Sequence, residues 1–76
     1  MALDEIEFDY SKLRGRIREV LGTQDKYAEE LHIGRVSLSQ RMNGKIEFSQ
    51  NEMMRSCKIL GFSPEDIPSY FFTQKV

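Results

Sequence analysis

The sequence is poor in the residues that most active sites need. Its 76 residues hold one cysteine, Cys57, and one histidine, His32. One cysteine excludes an internal disulfide and fits a reducing cytoplasm. One histidine, with no Cys, second His or carboxylate at ligand spacing, makes a poor metal site, so neither a metal nor another cofactor is expected. There is no glycine-rich loop to cradle a phosphate and no nucleophile with a base at motif spacing, which argues against an enzyme. No apolar run approaches the roughly 18 residues of a membrane span, and no basic-then-apolar leader marks a signal peptide. The expectation is a cytoplasmic protein without membrane contact.

Basic charge is also missing where it is first looked for. The net charge is -1, and residues 1–9 hold Asp4, Glu5, Glu7 and Asp9 with no base. The rest of the chain carries 11 basic against 8 acidic residues. From Gly34 to Ile46 the pattern inverts: Arg35, Arg41 and Lys45 stand there with no acid. Distribution matters more than the sum for a nucleic-acid partner, so the small net acidity excludes little. We read residues 1–8 as an acidic leader, kept away from phosphate, and residues 9–76 as one small domain with an aromatic tail. Ile6, Phe8 and Tyr10 alternate with acids, which also allows a short extended segment.

What the chain does have is a run of short helices with clear punctuation. The spacing predicts a first helix from about Tyr10 to Leu21, with Asp9 and Ser11 as candidate caps. Leu13, Ile17, Val20 and Leu21 form its apolar stripe, Lys12, Arg14, Arg16 and Arg18 its solvated side, and Gly22 its end. Thr23 then caps a second helix, Gln24 to Leu31, whose Tyr27, Ala28 and Leu31 share a face. Its N-terminus is a ready anion site, with Thr23 and Gln24 beside it and Asp25 expected to point away from DNA. His32-Ile33-Gly34 breaks the helix; His32 stands where a positive φ is expected and tolerates it better than most residues. A third helix follows from about Arg35 to Met42, with Leu38 and Met42 inward. Ala28 and Leu38 straddle the turn, a small residue under an aliphatic one, so that two helices pack closely as in a helix-turn-helix.

The outer surface of the third helix would then carry Arg35, Val36, Ser37, Ser39, Gln40 and Arg41. Arginine and glutamine pair bidentately with guanine and adenine edges, and valine touches a thymine methyl. Asn43-Gly44-Lys45 closes the helix as a turn whose amides and lysine can grip a phosphate. Ser49 and Glu52 form a capping box for a fourth helix ending at Gly61, with Phe48 stapling onto Met53. Met53, Cys57 and Leu60 line its inner face, and Met53 and Met54 read as core filler. Ser63-Pro64 opens one more turn, which Pro68 breaks or shortens by disfavouring the α conformation at Ile67. Ile67, Tyr70, Phe71 and Phe72 crowd the tail. Part of this cluster completes the core; the rest, with Tyr70, Phe71 and Phe72 as candidates, marks a dimer interface.

From Leu13 to Leu60 the chain resembles the phage repressor and Cro family of DNA-binding domains. TQDKYAEELHIGRVSLSQRMNGK is close to that family's glutamine–x3–alanine … Asn-Gly-Lys pattern, and SPEDIPSYFF is similar to the ending of small Cro-like regulators of phages of low-GC Gram-positive bacteria. The resemblance implies an all-α, lambda-repressor-like bundle of about five short helices that binds operator DNA as a homodimer in the bacterial cytosol or nucleoid. By position, Gln24 matches a glutamine that buttresses phosphate and base contacts. Arg35, Val36 and Gln40 match base-reading positions, and Asn43 and Lys45 match phosphate positions. Thr23, Ser37, Ser39 and Arg41 complete the supporting set. His32 in place of the usual turn glycine and Gly34 in place of the usual Ser, Thr or Asn cap depart from the family. Some members have become protein-binding modules, so an antirepressor that binds a partner repressor protein stands as the alternative to a sequence-specific DNA-binding transcription regulator.

Overall fold

The computed structural model describes residues 6–76. Helix α1 spans Ser11–Leu21, α2 Gln24–Leu31, α3 Arg35–Met42, α4 Gln50–Leu60 and α5 Ile67–Phe71, with a 3-10 turn at Pro64–Asp66 before the last. The described residues thus form an all-α bundle of five short helices.

The helix ends follow from local chemistry. At the start of α1 the Ser11 N–H donates to Asp9 Oδ1 at 2.8 Å. At its end Gly22, with φ +87, turns its N–H back onto the carbonyls of Ile17 and Arg18, a conformation that a side chain would resist. Helix α4 opens with a reciprocal capping box: Glu52 N–H donates to Ser49 Oγ and Ser49 N–H to Glu52 Oε1, each at 3.0 Å. Pro68 does not keep Ile67 out of the helix. Ile67 has φ -50 and ψ -47, so α5 starts there and Pro68 is its second residue. The missing N–H at that position has no intrahelical acceptor to lose, which leaves only the steric preference, and the packing of the tail overrides it.

Helices α1, α2, α4 and α5 surround a core in which Leu13, Tyr27, Leu31 and Leu60 are fully buried. Three aromatic rings link the helices at one end. Phe48 meets Tyr10 edge-on at 5.5 Å and Phe71 at 5.0 Å. Tyr70 stacks on Phe62 at 4.1 Å and receives the Lys12 ammonium over its ring at 4.7 Å. Tyr70 and Phe71 are therefore buried core residues and not the exposed dimer surface expected of them; Phe72, about half exposed, is what the tail leaves outside. Two other expectations fail by one position on a helix. Val20 lies at the margin of the α1 stripe, and Met54 stands next to the buried row of α4, so both are exposed.

One buried polar pair fastens α2 to α4. The Tyr27 hydroxyl meets Ser56 Oγ in the interior. Ser56 donates its only proton to the Glu52 carbonyl at 2.7 Å, so Tyr27 is the donor to Ser56. Burial drives the Tyr27 pKa far above the usual phenol range, so the hydroxyl remains a donor.

The chain ends are stitched together. Phe8 pairs with Gln74 in an antiparallel bridge, Asp9 N–H donates to the Thr73 carbonyl at 2.7 Å, and Lys75 N–H donates to the Glu7 carbonyl at 2.9 Å. Residues 7 and 8 of the expected leader are thus held against the tail of the domain. Residues 1–5, with Asp4 and Glu5, lie outside the described residues. Among the described residues no helix is long and apolar enough to cross a membrane.

Candidate nucleic-acid interface

The segment between Thr23 and Lys45 is built to present α3. Thr23 is extended and its Oγ1 accepts the Lys26 N–H at 3.1 Å, which fixes the start of α2. His32 takes the left-handed conformation, φ +59, and with Ile33 returns two N–H groups to the end of α2. Gly34 is extended and supplies no side-chain cap, and the first turn of α3 holds no acid, so nothing within this helix offsets its positive end. Ala28 and Leu38, both about 1% exposed, lie in the core beneath the turn, and Met42 is buried one helical turn further on.

With Leu38 and Met42 held inside, the leading end of α3 faces out. Val36 is 73% exposed, a large apolar side chain with no cover from its own domain. The Arg35 side chain is equally exposed, and Gln40, one turn after Val36, is half-buried. Arg35 is not solitary: its Nη1 donates to Asp25 Oδ2 at 3.1 Å. Asp25, expected to point away, instead leans across from α2 onto the first residue of α3.

The supporting residues divide. Thr23 and Gln24 are exposed at the α2 N-terminus, and Lys45 and Asn43 are exposed beyond α3. Ser37 and Ser39 are half-buried, and Ser39 Oγ accepts from Asn43 Nδ2 at 3.2 Å. Arg41 does not belong to the outer surface. It is turned inward, with Nε and Nη2 on the two Glu52 oxygens at 2.9 and 3.1 Å and Nη1 on the Ser37 carbonyl at 2.9 Å. Burial alone would raise the Glu52 carboxyl, but hydrogen bonds from Arg41 and Ser49 and the Arg41 charge outweigh it and hold the pKa below the usual value. Nor can the turn after α3 offer its amides to a phosphate. The N–H groups of Asn43, Gly44, Lys45 and Ile46 all return to carbonyls of Ser39, Gln40 and Arg41. The Lys45 ammonium is the group that turn has left to give.

Two of the arginines read from sequence as the solvated side of α1 stand beside the start of α2. Arg14 and Arg18, one turn apart on α1, line a shallow cleft with Gly22, Thr23 and Gln24 at the start of α2. Arg14 also donates to the Met42 carbonyl at 3.1 Å and so caps α3 from outside. Their neighbours go elsewhere: Lys12 reaches Ser69, and Arg16 binds the Leu60 and Gly61 carbonyls that end α4. The i, i+4 spacing of Arg14 and Arg18 was visible, but nothing in the sequence says that their side of α1 adjoins α2. Cys57, buried and with its thiol pKa raised by desolvation, takes no part in this surface.

Comparison with known proteins places this arrangement among small regulators. The fold is similar to the solution structure of the modulator of repression (MOR) of the temperate bacteriophage TP901-1 from Lactococcus lactis. That match has a TM-score of 0.77 and 35% identity over 87% of this chain and 89% of that one. It is also similar to the crystal structure of the clp gene regulator ClgR from C. glutamicum, with a TM-score of 0.65 and 25% identity over 79% of this chain and 77% of that one. No curated protein matches the sequence. The profile of the family described as "Protein of unknown function (DUF739)" matches residues 6–74, and the chain belongs to that family.

Proposed function

We propose that this protein is a sequence-specific double-stranded DNA-binding regulator of transcription, of the phage repressor and Cro type. The exposed Val36, between the turn and Gln40 and one residue from Arg35, carries the reading. A valine at the leading end of a helix anchored from behind suits a thymine methyl, as Arg35 and Gln40 suit purine edges. Arg14, Arg18, Thr23 and Gln24, gathered at the start of α2, and Lys45, beyond the end of α3, supply donors for phosphate, while Asn43, Ser37 and Ser39 support the helix end. As a homodimer the protein would set two α3 helices in successive major grooves about 34 Å apart and read a near-palindromic operator. Phe72 and Ile6, both exposed at the paired chain ends, offer an apolar surface for that contact.

A second reading is a protein module that modulates a partner repressor. It is favoured by the similarity to a modulator of repression and by Asp25, Glu29 and Glu30, three exposed acids on α2, of which Asp25 meets the first residue of α3. Selection from a random duplex pool tests the first reading. Recovery of a near-palindromic consensus with a strong salt dependence supports it. Failure to retain any duplex at low salt, together with micromolar capture of a purified phage repressor, supports the second.

A further inference from the structure

We infer that Asp25 is a specificity-determining residue of the α3 surface, acting through Arg35; this deepens the DNA reading above and rests on it. Arg35 is the first residue of α3, where the helix dipole repels a cation. Gly34 offers no capping side chain and the first turn of α3 offers no acid. Within its own helix, therefore, the arginine has no group to aim it. The carboxylate that does so comes from ten residues earlier, in the first turn of α2, where an acid is favoured.

The geometry leaves room for a base. Asp25 Oδ2 engages Nη1 of Arg35 alone, at 3.1 Å, and the Nε–Nη2 edge of the guanidinium carries no bond to the protein among the described residues. That edge presents two parallel donors, the fork that guanine O6 and N7 accept. Both side chains are mostly exposed, at 76% and 65%, so in water the pair adds little to stability. Its effect comes when a duplex closes over α3 and water leaves. On a guanine, Arg35 keeps Asp25 on one side and satisfies its free edge on the base. On any other base the free edge finds no pair of acceptors, so the desolvated Arg35–Asp25 pair gains nothing from the base while the carboxylate still repels the phosphates. The acid thus weakens binding everywhere and is offset only where Arg35 is satisfied.

The test compares the wild-type chain, Asp25→Asn, Asp25→Glu and Arg35→Ala, together with the double variant, on the duplex that the wild-type selects and on a random duplex. Thermal melts establish that each variant is folded. Asp25→Asn should bind random DNA more tightly, with a salt slope steeper by up to about one. The ratio of selected to random affinity should fall roughly five- to tenfold, within the range that one lost bidentate contact allows. Asp25→Glu should recover part of that ratio, and in the Arg35→Ala background Asp25→Asn should no longer change it. An unchanged ratio in Asp25→Asn, or an equal effect with and without Arg35, overturns the inference while leaving the DNA reading in place. Failure of the wild-type chain to select any duplex overturns both.

Discussion

The Arg41 guanidinium lies side by side with the Glu52 carboxylate, Nε to Oε1 at 2.9 Å and Nη2 to Oε2 at 3.1 Å. This pair joins the end of the presenting helix α3 to the first turn of α4, and Glu52 Oε1 also accepts from the Ser49 amide. Both side chains are largely covered, at 16% and 12% exposure, so losing one leaves the other's charge half-buried without its partner. Glu52→Ala removes the ion pair and half of the capping box together. We expect it to destabilise the domain by about 2–3 kcal/mol, and Glu52→Gln, which keeps an acceptor for Ser49, by about 1–2 kcal/mol. Urea denaturation followed by circular dichroism measures both.

The same carboxyl sets an acid limit. Its pKa in the folded protein lies below the ordinary value of 4.5 that the unfolded chain would have. The stabilisation is therefore fully present above about pH 5 and is lost as the pH falls through and below 4.5. Asp9 acts in the same direction through its hydrogen bonds from Ser11. Melting temperatures should stay level from neutral pH to about 5 and decline below that. Glu52→Gln should show a shallower decline. A variant whose acid profile matches the wild-type would remove Glu52 from the explanation.

Tyr27 and Ser56 offer an asymmetric pair of substitutions. In Tyr27→Phe, Ser56 still donates to the Glu52 carbonyl, so the loss is one net hydrogen bond, about 1 kcal/mol. In Ser56→Ala the Tyr27 hydroxyl remains buried with no acceptor, and the cost rises to about 1–3 kcal/mol. Comparison of the two unfolding free energies checks the assignment of Tyr27 as donor; the reverse order would contradict it.

The turn was readable from sequence for a physical reason: helix ends are decided within a few residues. Thr23, Gly22, Ser49 and Gly61 all cap as their chemistry suggests, and His32 takes the positive φ foreseen for it. Where a group points depends instead on elements distant in the chain. Arg41 was indistinguishable from Arg35 in the sequence, since what turns it inward is a capping carboxylate eleven residues later. Asp25 and Arg35 meet across the turn, Arg14 and Arg18 gain meaning only beside α2, and the Asn43–Ile46 amides are consumed by a C-terminal turn. The aromatic tail was legible as apolar and in part core, but not which rings are buried, because Phe71 is covered by Phe48 and Tyr70 by Phe62.

His32 itself gives a conformational prediction. At φ +59, glycine carries no Cβ penalty and a β-branched residue carries the most. His32→Gly should leave the melting temperature close to the wild-type, whereas His32→Val should cost about 1–2 kcal/mol. Equal stability of the two would mean that the turn relaxes out of the left-handed conformation.

The proposed base-reading and phosphate roles differ in the sequence dependence they predict. Gln40→Ala should relax preference at one base pair in each half-site, at a cost of about 1–3 kcal/mol on the selected duplex and little on random DNA. Lys45→Ala should weaken binding to every sequence alike and lower the salt slope by about one. Competition titrations at several salt concentrations read both; equal losses on specific and random DNA in both variants would refute the division.

The central claim is that the leading surface of α3 meets the duplex. Titration of the 15N-labelled protein with its selected duplex, followed by amide chemical shifts, examines that surface residue by residue. The account predicts the largest changes at Arg35, Val36 and Gln40, with smaller ones at Thr23, Gln24 and Lys45 and none on the outer face of α4. Shifts concentrated on α4 or on the paired chain ends, with α3 unmoved, would contradict it.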